Sequence, residues 1–314
     1  MGLRLYYAEV LASALGISIW RRRCRLAVIM EPIEQQTKTL ADILAQIDEW
    51  LQAQNGSGNA DQLAGILRTV VKLAHDNAGR GGLKILNRAM QELRHAFRIF
   101  APYRHIRKVS IFGSTRVQES DPYYDLARSV AQGLAQAGLM VITGAGAGIM
   151  QAGHEGAGRD KSFGVNIRLP SAQAANPFID NDPKLMNFHF FFTRKLMFVK
   201  EADAVVIFPG GFGTHDELLE SITLAQTGKS QLVPINLMDL AQGTYWSPWQ
   251  KFLRDDLVQR GYISENELNL VKLHSSAEAA VKEITGFYRN YHSYRFVKRD
   301  LVICLNHPPS RALI

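Results

Sequence analysis

The chain has 314 residues, 46% hydrophobic and 21% charged, which is ordinary for a globular protein and leaves room for one large domain or a main domain with an appendage. Its two cysteines, Cys24 and Cys304, exclude a disulfide framework and a zinc-ligand spacing, and suit a reducing cytoplasm. The net charge of +7 and pI near 9.4 do not point to nucleic acid: Arg4, Arg21, Arg22, Arg23 and Arg25 against Glu9 put +4 in residues 1–29 and leave +3 elsewhere, with no zinc-finger or RNP-type motif.

Residues 1–29 run from an apolar stretch into an arginine cluster, the reverse of a secretory signal, and are too short for a membrane span. A segment lying on a membrane surface is one reading. The expected one is upstream sequence outside the native protein, with Met30 the natural start and no stable membrane association. Residues 30–105 read as a helical N-terminal extension: LADILAQIDEWLQAQ, DQLAGILRTVVKLAHDN and LKILNRAMQELRHAFRIF repeat apolar positions at helical spacing and are separated by glycine-rich breaks. Arg94 and Arg98, one turn apart, read as solvated surface.

From residue 106 the pattern alternates strands with helices. KVSIFGST is a strand, PYYDLARSVAQGLAQAG an amphipathic helix closed by Gly138, LMVITGA a strand, GIMQAGHEGAG a helix start and FGVNIRLP a third strand. A polar loop with Pro170, Pro177 and Pro183 leads to NFHFFFTRKLMFVKEA, expected to be largely helical. AVVIF is a strand buried on both faces, a helix follows PGGFG, and QLVPINLM is a further strand. This predicts an α/β, Rossmann-like doubly wound parallel sheet over residues 106–292, with ligands at the strands' carboxyl ends. Residues 245–259 and 277–291 read as helices. RFVKRDLVICL alternates like one strand, so that 293–314 is a C-terminal strand and tail, read as truncated. No internal repeat is present.

Three strand ends carry candidate ligand groups: Ser114, the turn at 144–148 and the turn at 210–214. The second gives Gly144, Gly146 and Gly148, but Ile149 replaces the last glycine of a dinucleotide fingerprint and no acidic residue ends the next strand. A GKS at 228–230 follows a helix, and Thr223 stands where a P-loop needs its first glycine, which excludes that motif too. In PGGFGTHDE, Gly210, Gly211 and Gly213 allow backbone conformations closed to other residues. Thr214 is expected to cap the helix, with Asp216 and Glu217 in its first turn. A glycine-rich turn entering a helix presents unpaired N–H groups and the positive dipole end, an anion site suited to phosphate. Asp216 is read as serving the dipole, and Glu217 as reaching what the phosphate carries.

PGGFGTHDE at 209–217 matches the PGGxGTxxE signature of the Lonely Guy family of nucleoside 5′-monophosphate phosphoribohydrolases, which the chain resembles over about residues 108–239. Arg194 and Lys195 in FFFTRKLMF are similar to the family's Arg-Lys pair, and GAGAGIMQAG at 144–153 resembles its GGGxxGxMG element. The helical extension resembles the longer bacterial members. The resemblance implies cleavage of the N-glycosidic bond of purine, pyrimidine or cytokinin nucleotides to base and ribose 5-phosphate, with Arg194 and Glu217 catalytic. Substrate-binding candidates are Ser114, Gly144, Gly146, Gly148, Met150, Lys195, Gly210, Gly211, Gly213, Thr214 and Thr223. It also implies at least a homodimer with sites near the subunit contact, where the apolar stretch 186–199 fits. These proteins have carried the label lysine decarboxylase, yet nothing in the sequence supports a pyridoxal phosphate site, and neither cofactor nor metal is expected. Two departures stand out. His215 replaces a usually apolar residue and is read as a pocket-rim or subunit contact, and Ala172 lies where relatives tend to carry a substrate-binding glutamate. His154 is read as helix packing. The alternative function is a nucleotide or molybdenum-cofactor carrier of the same fold without turnover.

Overall fold

The computed structural model describes residues 40–53, 58–169 and 174–309; the leader, Met30 and Ala172 lie outside them. The chain divides into two compact units, Met1–Gly79 and Arg80–Ile314. In the first, helices α1 (Leu40–Ala53) and α2 (Ala60–His75) pack on each other and share an Arg68–Asp48 ion pair. Helix α3 (Arg80–Phe100), read from the sequence with the helical extension, is part of the second unit, where Phe100 stacks on Phe163 at 4.5 Å.

Among the described residues the second unit holds seven parallel strands: β1 (Lys108–Phe112), β2 (Met140–Thr143), β3 (Ser162–Ile167), β4 (Leu185–Phe188), β5 (Ala204–Ile207), β6 (Ile235–Met238) and β7 (Val271–His274). Their order is β4-β3-β2-β1-β5-β6-β7, with Phe112 in register with Ile207. The chain builds outward from β1 to β4, then returns to place β5 on the other side of β1. The topological switch point therefore lies between β1 and β5, where doubly wound sheets open their ligand crevice. This is the α/β, Rossmann-like fold that the alternating pattern predicts.

Helices cover both faces. Helices α4 (Pro122–Gln136), α5 (Ile149–Ala157) and α9 (Ala277–Phe287) bury Val109, Ile111 and Val206 on one face. Helices α3, α6 (Phe191–Glu201), α7 (Phe212–Gln226) and α8 (Trp246–Phe252) bury Phe112, Val205 and Ile207 on the other. Alternate residues of β1 and β5 thus serve opposite cores, which is why β5 reads as an unbroken apolar run; β1 interrupts its own with Ser110, whose buried hydroxyl donates to Phe198 O at 3.2 Å. Asp121 caps α4 by accepting from Tyr123 N–H at 2.9 Å, and Gly138 follows the helix at φ 87.

The structure departs from the sequence reading in three places. Asn187 and Phe188, at the start of the stretch expected to be largely helical, belong to edge strand β4 before α6 begins. Strand β7 at the opposite edge has an exposed centre and no apolar signature. RFVKRDLVICL is not one strand: β8 (Tyr291–Val297) and β9 (Asp300–Leu305) pair antiparallel, and Lys298 turns the chain at φ 59. No helix among the described residues is long and apolar enough to cross a membrane.

Candidate active site at the sheet switch point

Two backbone hydrogen bonds stitch three strand-end loops together. Ser114 N–H donates to Pro209 O at 3.0 Å, and Ile149 N–H donates to Ser114 O at 3.1 Å. Gly148 sits beneath that contact at φ 65, where an added Cβ would lie 2.3 Å from Ser114 O, so only glycine fits. A Cβ on Gly144 would meet Met150 Sδ at 2.7 Å and approach Arg194 Nη2 to 4.0 Å, which brings Gly144, Met150 and Arg194 to one spot.

The turn after β2 is pinned from below. Ala145 takes the left-handed conformation at φ 61; its N–H donates to Thr143 Oγ1 at 3.0 Å and its carbonyl accepts from Asn176 N–H at 2.8 Å. Asn176 Nδ2 donates to Gly146 O at 2.9 Å and lies 3.1 Å from His154 Nδ1. His154 Nε2 lies 3.0 Å from Thr143 Oγ1 and 3.1 Å from Phe163 O. Burial lowers the pKa of His154 to about 4, so the ring is neutral and serves both neighbours as a hydrogen-bonding spacer. More than helix packing, His154 is the hub of a buried polar network under the glycine turn.

Helix α7 begins at Phe212 with Gly211 as its N-cap, which corrects two expectations. Thr214 is not the cap: it lies inside the first turn, buried, with its N–H 3.0 Å from Gly211 O. Asp216 and Glu217 fall beyond the first turn, as the fifth and sixth helical residues. The glycines also act differently from expectation, since none of Gly210, Gly211 and Gly213 has a positive φ. Gly210 is needed for space, because its Cβ would lie 2.1 Å from Thr214 Oγ1. Cβ atoms on Gly211 or Gly213 would meet nothing within 4 Å, so their absence leaves open room before the helix start.

Helix α6 supplies the cations. None of its own side chains caps it, but Glu92 of α3 braces its entry through His189 and the Thr193 side chain. The Glu92 carboxylate accepts from His189 N–H at 2.9 Å and Thr193 Oγ1 at 2.6 Å, and lies 3.0 Å from His189 Nδ1. The next residue, Arg194, has its guanidinium 5.4 Å from the ring centres of both Phe191 and Phe198. Burial pushes its pKa down against the pull of Glu217 and Asp216, and its Nε is buried with no protein partner among the described residues. Lys195 turns to α7, 2.7 Å from Asp216 Oδ2, 2.6 Å from Glu220 Oε2 and 3.8 Å from Glu217 Oε2. Asp216 thus neutralises Lys195 instead of serving the helix dipole.

Glu217 is 6% exposed. Burial raises its pKa to about 7, against the opposing pull of Lys195 and Arg194. Beyond it a cavity of about 440 Å³ runs past Ser221 and Leu224 of α7 towards Tyr288. Ser114, Gly144, Gly148, Met150, Arg194, Lys195, Gly210, Gly211, Gly213, Thr214 and Glu217 therefore surround the switch point. Gly146 faces away into the Asn176 network. Thr223 lies apart, exposed, nine residues (about 13 Å) along the helix from Thr214, with its hydroxyl on Leu219 O at 2.7 Å. His215 lies 2.8 Å from Tyr245 OH at the rim.

The sequence reading missed Glu92, Asn176, Tyr245 and Asp239. Asp239 could have been found, because it ends β6 on the carboxyl side of the sheet, where ligand loops gather. Glu92 carries no comparable signal, since its partner His189 is 97 residues away.

Residues 145–284 match a family model described as "Possible lysine decarboxylase". A cytokinin riboside 5′-monophosphate phosphoribohydrolase of Arabidopsis thaliana is 27% identical over 186 residues, covering 58% of this chain and 83% of that protein. One from Oryza sativa subsp. japonica is 25% identical over 190 residues, covering 59% and 75%. These matches support membership of the Lonely Guy family. The matched span contains Arg194, Glu217 and both halves of the helix-start turn. Among solved structures, a molybdenum cofactor carrier protein from Chlamydomonas reinhardtii matches over 58% of this chain and 97% of its own, at 16% identity and TM-score 0.40.

Proposed function

We propose that this protein acts as a Lonely Guy enzyme, hydrolysing nucleoside 5′-monophosphates by adding water across the N-glycosidic bond to release free base and ribose 5-phosphate. The observation that carries the proposal is the placement of Glu217: a buried carboxyl group in the second turn of a helix whose start is open, glycine-lined and flanked by Arg194. In this reading the substrate's phosphate sits on the N–H groups of Gly211, Phe212 and Gly213 and on the Thr214 hydroxyl. Glu217 lies about 7 Å further along the helix axis, a distance suited to the sugar of the same molecule.

Loss of the base leaves oxocarbenium-like positive charge on the ribose, and a carboxylate beside it stabilises that charge and orients the incoming water. The water oxygen bonds to the anomeric carbon as the carbon–nitrogen bond breaks, and the proton that water loses balances the one gained by the departing base. Glu217 acts as the anion, so a pKa of about 7 makes it competent at and above neutrality. Arg194 offers a fixed planar charge to the phosphate or to the leaving base. Lys195, held by Asp216 and Glu220, fixes α6 to α7 and keeps a cation near Glu217.

The same proposal includes a cytoplasmic homodimer. Cysteine usage supports the compartment, and exposed Phe191, Phe192, Leu196, Phe212 and Leu219 around the site support the second subunit. Cytokinin, purine and pyrimidine monophosphates are the candidate substrates, and a panel of them assayed for ribose 5-phosphate tests the reading. Release from at least one is expected; tight binding across the panel with no release would favour a carrier instead.

A further inference from the structure

His215 and Tyr245 are not used by the chemistry above, yet they meet on the carbonyl that opens the glycine turn. Tyr245 is a fixed point. Its N–H lies 3.1 Å from Asp239 Oδ2, and its ring meets the Trp246 ring edge-on at 4.8 Å. Asp239 is buried at the end of β6, takes Leu240 N–H at 2.9 Å, and also accepts from the Tyr123 hydroxyl. The Tyr245 hydroxyl therefore projects from a braced loop. It donates to Gly210 O and lies 2.8 Å from His215 Nε2.

Counting hydrogens fixes the direction of this chain of contacts. A phenol has one hydrogen and a carbonyl has none, so the short contact between the Tyr245 and Gly210 oxygens requires the phenol hydrogen between them. The Tyr245 oxygen is then an acceptor towards His215, whose Nε2 must carry a hydrogen. The relay runs from His215 Nε2–H through Tyr245 O–H to Gly210 O. A trans peptide points its C=O and following N–H in opposite directions. Drawing Gly210 O towards Tyr245 therefore turns Gly211 N–H the other way, towards the open side of the turn. A flipped peptide would present a carbonyl oxygen to an anion and repel it.

We infer that Tyr245 and His215 are positioning residues that hold the Gly210–Gly211 peptide in its anion-binding orientation, and so set affinity for the phosphate end of the substrate. The inference rests on the reading of this turn as the phosphate's seat. It also explains the histidine in PGGFGTHDE, where an apolar residue would leave Tyr245 without its donor.

The test uses the full chain and two readouts, calorimetric binding of ribose 5-phosphate and steady-state hydrolysis of AMP. Tyr245→Phe should weaken ribose 5-phosphate binding and raise KM about tenfold, the scale of one hydrogen bond, with kcat within about two-fold. His215→Gln, which keeps an N–H donor at the same reach, should stay within about two-fold of the parent. His215→Met should weaken binding about three-fold. Equal binding by Tyr245→Phe and the parent would overturn the relay, and equal behaviour of the Gln and Met variants would remove His215 from it. Should Tyr245→Phe fail to fold, the Gln–Met comparison decides. A parent protein that binds no ribose 5-phosphate would overturn the phosphate reading itself, a different failure from either of these.

Discussion

Glu217 is pulled in two directions, with burial favouring its neutral form and Lys195 and Arg194 favouring the carboxylate. Burial wins, and the sign of two pH effects follows. If the carboxylate is the working form, kcat/KM for AMP should rise tenfold per pH unit below about 7 and level off above it. A flat profile from pH 5 to 8 would remove Glu217 from the chemistry. For stability, the folded pKa of about 7 exceeds the ordinary glutamate value of 4.5, so folding takes up a proton between those values. The stability that protonated Glu217 contributes is present below 4.5 and is lost as pH rises through about 7. Glu217→Gln should therefore lose turnover by roughly a thousand-fold. It should also unfold at higher denaturant than the parent at pH 8, by on the order of 2 kcal/mol, with the gap closing at pH 5. Comparing urea melts at the two pH values checks this. The acid itself was legible from its motif, whereas the environment that shifts it was not, because the burial that raises it and the Lys195 charge that opposes it both come from tertiary packing. The role of Asp216 was misread for a related reason: local sequence did not reveal that the helix starts at Phe212 and not after Thr214.

Helix α6 shows how one element is aimed by another. Its entry is braced across the fold by Glu92, which holds His189 N–H and the Thr193 hydroxyl next to Arg194. Replacing Glu92 with Ala should destabilise the protein by about 2 kcal/mol, since it strips a buried donor set of its acceptor. It should also lower kcat by loosening Arg194. Chemical melts beside kinetics would check both, and a stable but equally active variant would make Glu92 irrelevant to the site. The central strands were readable because both their faces are buried, which leaves an unbroken apolar signature in Val205, Val206 and Ile207. Strands β4 and β7 were not, since edge strands keep polar residues such as Asn187 and Lys272 on their open sides. The hairpin of β8 and β9 was taken for one strand because Lys298 turns left-handed without the glycine or asparagine that usually marks such a corner.

For the molecule as a whole, strand order does what no single motif can. It sets β1 beside β5, so that Ser114 and Pro209 are hydrogen-bonded although 95 residues separate them in sequence. Exposed aromatic groups on α6 and α7 flank that crevice, and the proposed dimer buries them. Sedimentation should give twice the chain mass, and Phe192→Glu should shift it towards the monomer with reduced turnover; a monomeric parent of full activity would contradict this. The claim on which all else depends is that one nucleotide spans the start of α7 and Glu217. A crystal structure of the Glu217→Gln variant with AMP tests it most directly. The account predicts the phosphate on the N–H groups of Gly211, Phe212 and Gly213, with the side-chain amide introduced at position 217 against the ribose. A nucleotide bound elsewhere, or a sugar turned away from that amide, would contradict it.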